Sequence, residues 1–126
     1  MSGQSRLGAE QKMKLMEQIA GRRLVAVTFV LDYVQLQLDP AVTINAFTHM
    51  SVRQNGTPVT GDDHVQFRNL LCAQIGKQIG LVLVREAKSF DLGFDDGSGI
   101  SISLRPDDYV GPEAVTVTGD GYVLVI

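Results

Sequence analysis

Residues 89–106 carry the clearest alternation in the chain. Phe90, Leu92 and Phe94 alternate with Asp91, Gly93 and Asp95, and Ile100, Ile102 and Leu104 alternate with Ser101 and Ser103. A period of two predicts half-buried strands. Asp96, Gly97, Ser98 and Gly99 between them are turn formers, so the stretch reads as a β-hairpin with one wet face. The alternation recurs at Val34, Leu36 and Leu38 against Gln35, Gln37 and Asp39, and beyond the Asp39-Pro40 turn residues 41–47 offer another strand. Two unbroken apolar runs, 24–30 (LVAVTFV) and 79–84 (IGLVLV), have strand length and β-branched content, which predicts strands buried on both faces.

Helical spacing is confined to two stretches. Met13, Met16, Ile19 and Ala20 recur among charged residues over 9–20, and Gly21 follows. Phe67, Leu70, Leu71 and Ile75 recur behind Asp62 and Asp63, whose carboxylates suit the free N–H groups of a helix start, and Gly76 ends that helix. Residues 1–8 read as a mobile tail and 49–61 as a loop.

The order of elements repeats. Gly21 and Leu24 match Gly76 and Ile79 at an offset of 55, whereas Val34, Leu36, Leu38 and Ile44 match Phe90, Leu92, Phe94 and Ile100 at 56. The expectation is a single α+β domain over 9–126. It consists of two αβββ-like halves (9–61 and 62–114) forming mostly antiparallel sheet with two helices packed on one side, closed by a C-terminal hairpin at 115–126. The last strand of that hairpin, Tyr122 to Ile126, has no polar alternation and needs cover on both faces from this molecule or a second copy. A homodimer through Tyr122 to Ile126 is therefore expected.

Composition changes this picture little. A chain of 126 residues buries a sufficient core without staples, and 20% charged residues against 44% hydrophobic ones describe an ordinary globular protein. The net charge of −3 weighs against nucleic acid and against anionic membrane as partners. Cys72 is the only cysteine, which excludes an intramolecular disulfide. With no secretory pattern at the start and no apolar run of about 20 residues, a cytoplasmic protein is expected.

Candidate chemistry mostly yields to plainer readings. Asp91, Asp95 and Asp96, with Asp32 and Asp39, suggest a hard-cation site, but the calcium-loop spacing fails, because Asp96 stands where Gly is required and Ile102 where Glu is required. His49 and His64 lack ligand spacing for zinc. Cys72 reads as an inert core thiol, Arg22-Arg23 as a solvated pair, and Gly97-Ser98-Gly99 lies inside a hairpin rather than between strand and helix, so it is no phosphate cradle. Neither cofactor nor metal is expected. Arg105, Asp107, Asp108, Tyr109 and Glu113 are the set with the residue types of a binding surface.

Three segments, the FVLDYVQL stretch within 21–36, LLCAQIG and DDGSGISISLRPDDYVGPEA, resemble a family of small bacterial proteins carrying a domain of unknown function. The resemblance spans about residues 19–114 and implies a bacterial source and a shared fold, with no residue roles. The function expected is a non-catalytic protein-interaction or binding protein whose contact surface is Arg105 to Glu113. The competing class is a small enzyme or ligand carrier with a pocket between helices and sheet, using Tyr109, Arg105 or Asp95.

Overall fold

Gly21 and Gly76 each follow a helix in the left-handed conformation, at φ 87° and 100°, and turn the chain into the strand beyond. The computed structural model describes residues 8–109 and 111–126. The tail expected at residues 1–8 therefore lies, Gly8 apart, outside the described residues. Among these the order is α1 (Ala9–Ile19), β1 (Arg23–Val30), β2 (Tyr33–Asp39), β3 (Val42–Ala46), β4 (Met50–Gln54), β5 (Thr57–Thr60), α2 (His64–Cys72), β6 (Ile79–Arg85), β7 (Ser89–Phe94), β8 (Gly99–Ser103), a 3-10 turn (Pro106–Asp108), β9 (Val115–Gly119) and β10 (Tyr122–Val125).

The strands form two antiparallel five-stranded sheets, ordered β1-β2-β3-β9-β10 and β5-β4-β8-β7-β6. The chain is thus α+β, with a C-terminal hairpin, β9–β10. Each half keeps its first three strands together and gives its last two to the other sheet. The ladders match across the halves: Ile44 faces Val117 as Ile100 faces Val52, and Ala46 faces Val115 as Ile102 faces Met50. Two junction bonds are reciprocal, since the Gly21 N–H donates to the Ile79 carbonyl and the Gly76 N–H to the Leu24 carbonyl, both at 2.7 Å. Arg23 and Gln78 bridge between these junctions.

The step from offset 55 to 56 has a local cause. Val30 faces Tyr33 across a two-residue turn, whereas Arg85 faces Ser89 across a three-residue one. Both first strands also carry a bulge at the same place, between Leu24 and Ala26 and between Ile79 and Leu81. A larger step follows. Phe47, Thr48 and His49 alone join β3 to β4, but the corresponding connection in the second half raises the offset from 56 (Ala46 to Ile102) to 65 (Met50 to Val115), so nine extra residues sit there.

The inward rows of both sheets and the two helices share one core. Leu36, Ile44 and Val117 of one sheet and Phe90, Leu92, Ile100 and Ile102 of the other are at most 1% exposed, each side chain worth roughly 1.5–3 kcal/mol on burial. α1 contributes Leu15 and Ile19 and α2 contributes Phe67 and Leu71. Met13 and Met16, expected on the packing face of α1, are exposed, because the buried stripe runs one residue aside through Leu15 and Ile19. The Asp63 carboxylate caps α2 by accepting the Gln66 N–H at 3.2 Å.

Three expectations change. Residues 49–61 are not a loop but hold the β4–β5 hairpin, turned by Asn55 and Gly56 at φ 62° and 92°. β1 and β6 are sheet edges rather than strands buried on both faces: Leu24 and Ile79 are buried, yet Val25 is 44% and Leu81 60% exposed. Cys72 is exposed at the end of α2 rather than in the core. Among the described residues no helix is long and apolar enough to cross a membrane.

Candidate functional site

The nine extra residues of the second half fall between Leu104, which is buried, and Ala114, which is also buried. They carry Pro106 and Pro112, which cannot extend a ladder, and the segment leaves the sheet through the 3-10 turn Pro106–Asp108. Asp108 is fixed there by a 2.5 Å hydrogen bond from the Ser103 hydroxyl, whose oxygen also accepts the Arg105 N–H at 3.1 Å.

Arg105 and Asp108 at the start of this segment line a cleft of about 690 Å³. Arg105 and Asp108 meet Thr48 and His49 of the short β3–β4 connection, Asp62 and His64 at the start of α2, and Lys88 of the β6–β7 turn. Along the outward face of the second sheet Ser51, Ser89, Ser101 and Ser103 supply hydroxyls, while Val34, Met50 and Phe67 supply an apolar side. Asp91 anchors the hydroxyl row by accepting from Ser101 at 2.6 Å and from Ser89 at 3.1 Å, with Arg85 3.8 Å away. The Thr48 Oγ1 is buried and has no hydrogen-bond partner among the described residues, an unmet demand of the kind that costs about 1–3 kcal/mol.

Asp108 stands between a serine and a histidine, since His49 Nδ1 lies 3.9 Å from its second carboxylate oxygen. The order is wrong for a nucleophile relay, in which the imidazole must take the hydroxyl proton. Here the Ser103 hydroxyl donates to the carboxylate, so Asp108 positions Ser103 and is available to hold His49.

Of the sequence-derived set, Arg105 and Asp108 line this cleft. Glu113 lines a second depression, of about 480 Å³, with Gly111, Pro112, Phe47 and Asp32. Asp107 is exposed in the 3-10 turn, and Tyr109 is half-buried against the core. Asp95 lies at the turn end of its hairpin, away from the Ser89 and Ser103 end that lines the cleft, with its N–H bonded to the Gln78 carbonyl. Sequence reasoning missed Thr48, His49 and Lys88 on the cleft with Arg105; the β7–β8 hairpin brings Lys88 there, its carbonyl accepting the Leu104 N–H at 3.0 Å, and the strand exchange brings Thr48 and His49.

The acidic turn has a structural role. Lys77 Nζ lies 2.8 Å from Asp96 and donates to the Gln74 side-chain oxygen at 2.9 Å and the Ser98 hydroxyl at 3.0 Å. Gln74 is fully buried and donates in turn to Gln54 and to the Leu70 carbonyl. The Lys77 hydrogen bond, then the Ser98 hydroxyl and amide, hold the Asp96 carboxyl well below the usual carboxylate range. Arg22, which occupies the place of Lys77 in the first half, donates to the Pro40 and Gln18 carbonyls instead. Among the described residues no group of three or more His, Cys, Asp or Glu side chains is placed to hold a metal ion.

No family model matches the chain, no curated protein matches its sequence, and no solved structure matches its fold.

Proposed function

We propose that the chain is a non-catalytic binding protein that takes a protein partner along residues 105–113 and the cleft they border. The observation that carries this reading is the asymmetry. Two halves that agree ladder for ladder differ by nine residues in one connection, and those residues are not needed to join β8 to β9, since three suffice in the first half. Loops free of a scaffold duty are where contact residues gather. The test compares capture from a lysate of the source organism by the intact chain and by a variant lacking residues 105–113. A protein retained by the first and lost by the second supports the reading; equal capture by both, or none by either, counts against it.

A second reading rests on the cleft itself. Its volume suits a small ligand, and Ser51, Ser101 and Ser103 line it beside the apolar Val34, Met50 and Phe67. Cations (Lys88, Arg105) and carboxylates (Asp32, Asp62, Asp108) both line it, which favours a zwitterionic or neutral polar molecule over a strong anion. NMR titration with amino acids and small amides, read at Thr48, His49 and Arg105, tests this; shifts that persist unchanged in Arg105→Ala would contradict it.

A further inference from the structure

Two five-stranded sheets have four edges, and three of them carry features that oppose further pairing. β1 and β6 carry bulges and face each other through the Arg23–Gln78 bridge. β5 has Pro58, which lacks an N–H, and its Thr60 carbonyl accepts the Asp63 N–H at 3.2 Å. β10 has neither device. Beyond its end Val115 and Ile126 exchange both backbone bonds, and the alternation of an antiparallel ladder then gives Leu124 and Tyr122 the same bonded role toward β9. Val123 and Val125 accordingly turn their N–H and C=O groups to the open side. Their side chains are 62% and 39% exposed.

The internal correspondence makes the contrast specific. Pro58 faces Arg53 as Val123 faces Thr118, an offset of 65, so the two residues hold the same ladder position in the two halves. One is the residue that blocks edge pairing; the other is an exposed β-branched residue that favours it.

We propose that β10 is a self-pairing edge, on which a second copy of this chain adds its own β10 antiparallel to make a continuous ten-stranded sheet. The occupant is a second copy because the edge is complementary to itself. With the two-fold axis at Leu124, Val123 of one copy faces Val125 of the other, each free N–H meets a free C=O, and like apolar side chains meet on the outward face. Tyr122–Val125 carries no charge that would repel its own copy. A four-residue contact is short, so the equilibrium depends on concentration.

Sedimentation equilibrium over a wide concentration range tests this with the full chain. The expected result is a mass rising from 13.7 kDa toward twice that value, while Val123→Pro stays at the single-chain mass and keeps its far-UV circular dichroism, as Pro58 does in the matching strand. A wild-type chain that stays single at the highest concentration, or a Val123→Pro variant that associates as the wild type does, overturns the proposal. Should Val123→Pro fail to fold, amide exchange in the wild type decides. The Val123 and Val125 amides are protected increasingly with concentration if the edge pairs, and exchange fast at every concentration if it does not.

Discussion

Excising residues 105–113 leaves Ser103, Leu104 and Ala114 to join Ile102 to Val115, as Phe47, Thr48 and His49 join Ala46 to Met50. The flanking bonds already match, since the Ser103 N–H donates to the His49 carbonyl at 2.9 Å and the Phe47 N–H to the Ala114 carbonyl at 2.8 Å. Shortening the connection from twelve residues to three lowers the entropy cost of closing it by about 1.2 kcal/mol. Against this stand the packing of half-buried Tyr109, about 1–1.5 kcal/mol, and the Ser103–Asp108 bond, about 1 kcal/mol. The net is a loss of roughly 1 kcal/mol, which in a chain of this size lowers Tm by about 3–6 °C. Thermal unfolding followed by circular dichroism reads this directly. A variant that melts cooperatively within that range supports the treatment of these residues as an addition to a complete scaffold. Loss of cooperative melting, or a drop beyond about 15 °C, would refute it and make the segment part of the core.

Other expectations are as specific. Gly99→Ala places a Cβ 2.9 Å from the Leu92 carbonyl oxygen, a backbone atom that cannot swing aside; a loss of about 1–3 kcal/mol in urea unfolding is expected, against almost none for Gly111→Ala, where nothing lies within 4 Å. The Tyr122 hydroxyl is buried with no hydrogen-bond partner among the described residues, and burial raises its pKa against a smaller lowering effect from Arg22; Tyr122→Phe is expected to leave urea stability unchanged or raise it by about 1 kcal/mol. The depressed Asp96 pKa means that its contribution is complete above the ordinary carboxylate pKa of about 4 and is lost as pH falls below it toward the folded-state value. The Tm gap between wild type and Asp96→Asn is thus expected to be constant near neutrality and to narrow in acid; a gap independent of pH would contradict the Lys77–Asp96 assignment.

Much of the scaffold is legible in the residues because period and turn chemistry agree there. The alternations at 34–38 and 90–104 set β2, β7 and β8 with their buried faces correct, and Gly21 and Asp63 mark helix limits, whereas α2 stops at Cys72, short of Gly76. Continuous apolar runs are where reading fails. Residues 24–30, 79–84 and 122–126 show no wet face, yet each is a sheet edge with one face exposed, because an unbroken run does not say which residues lose solvent, and the bulges in β1 and β6 shift the alternation partway along. β4 and β5 are short, polar and interrupted by Pro58, so propensity hid them, although Asn55-Gly56 is the strongest short-range hairpin signal available. The exchange of strand pairs has no local signature at all. It brings Thr48 and His49 to the cleft with Arg105, and for that reason the cleft was half visible: the segment stood out by its residue types, and the groups opposite it did not.

The strand exchange builds both sheets, and backbone NOEs across the inner ladders test it most directly. Contacts between Asn45 and Thr116 and between Ser51 and Ser101 are predicted, since these residues face one another across β3–β9 and β8–β4. A set of NOEs pairing β3 with β4 and β8 with β9 instead, each half keeping its own strands, would contradict it.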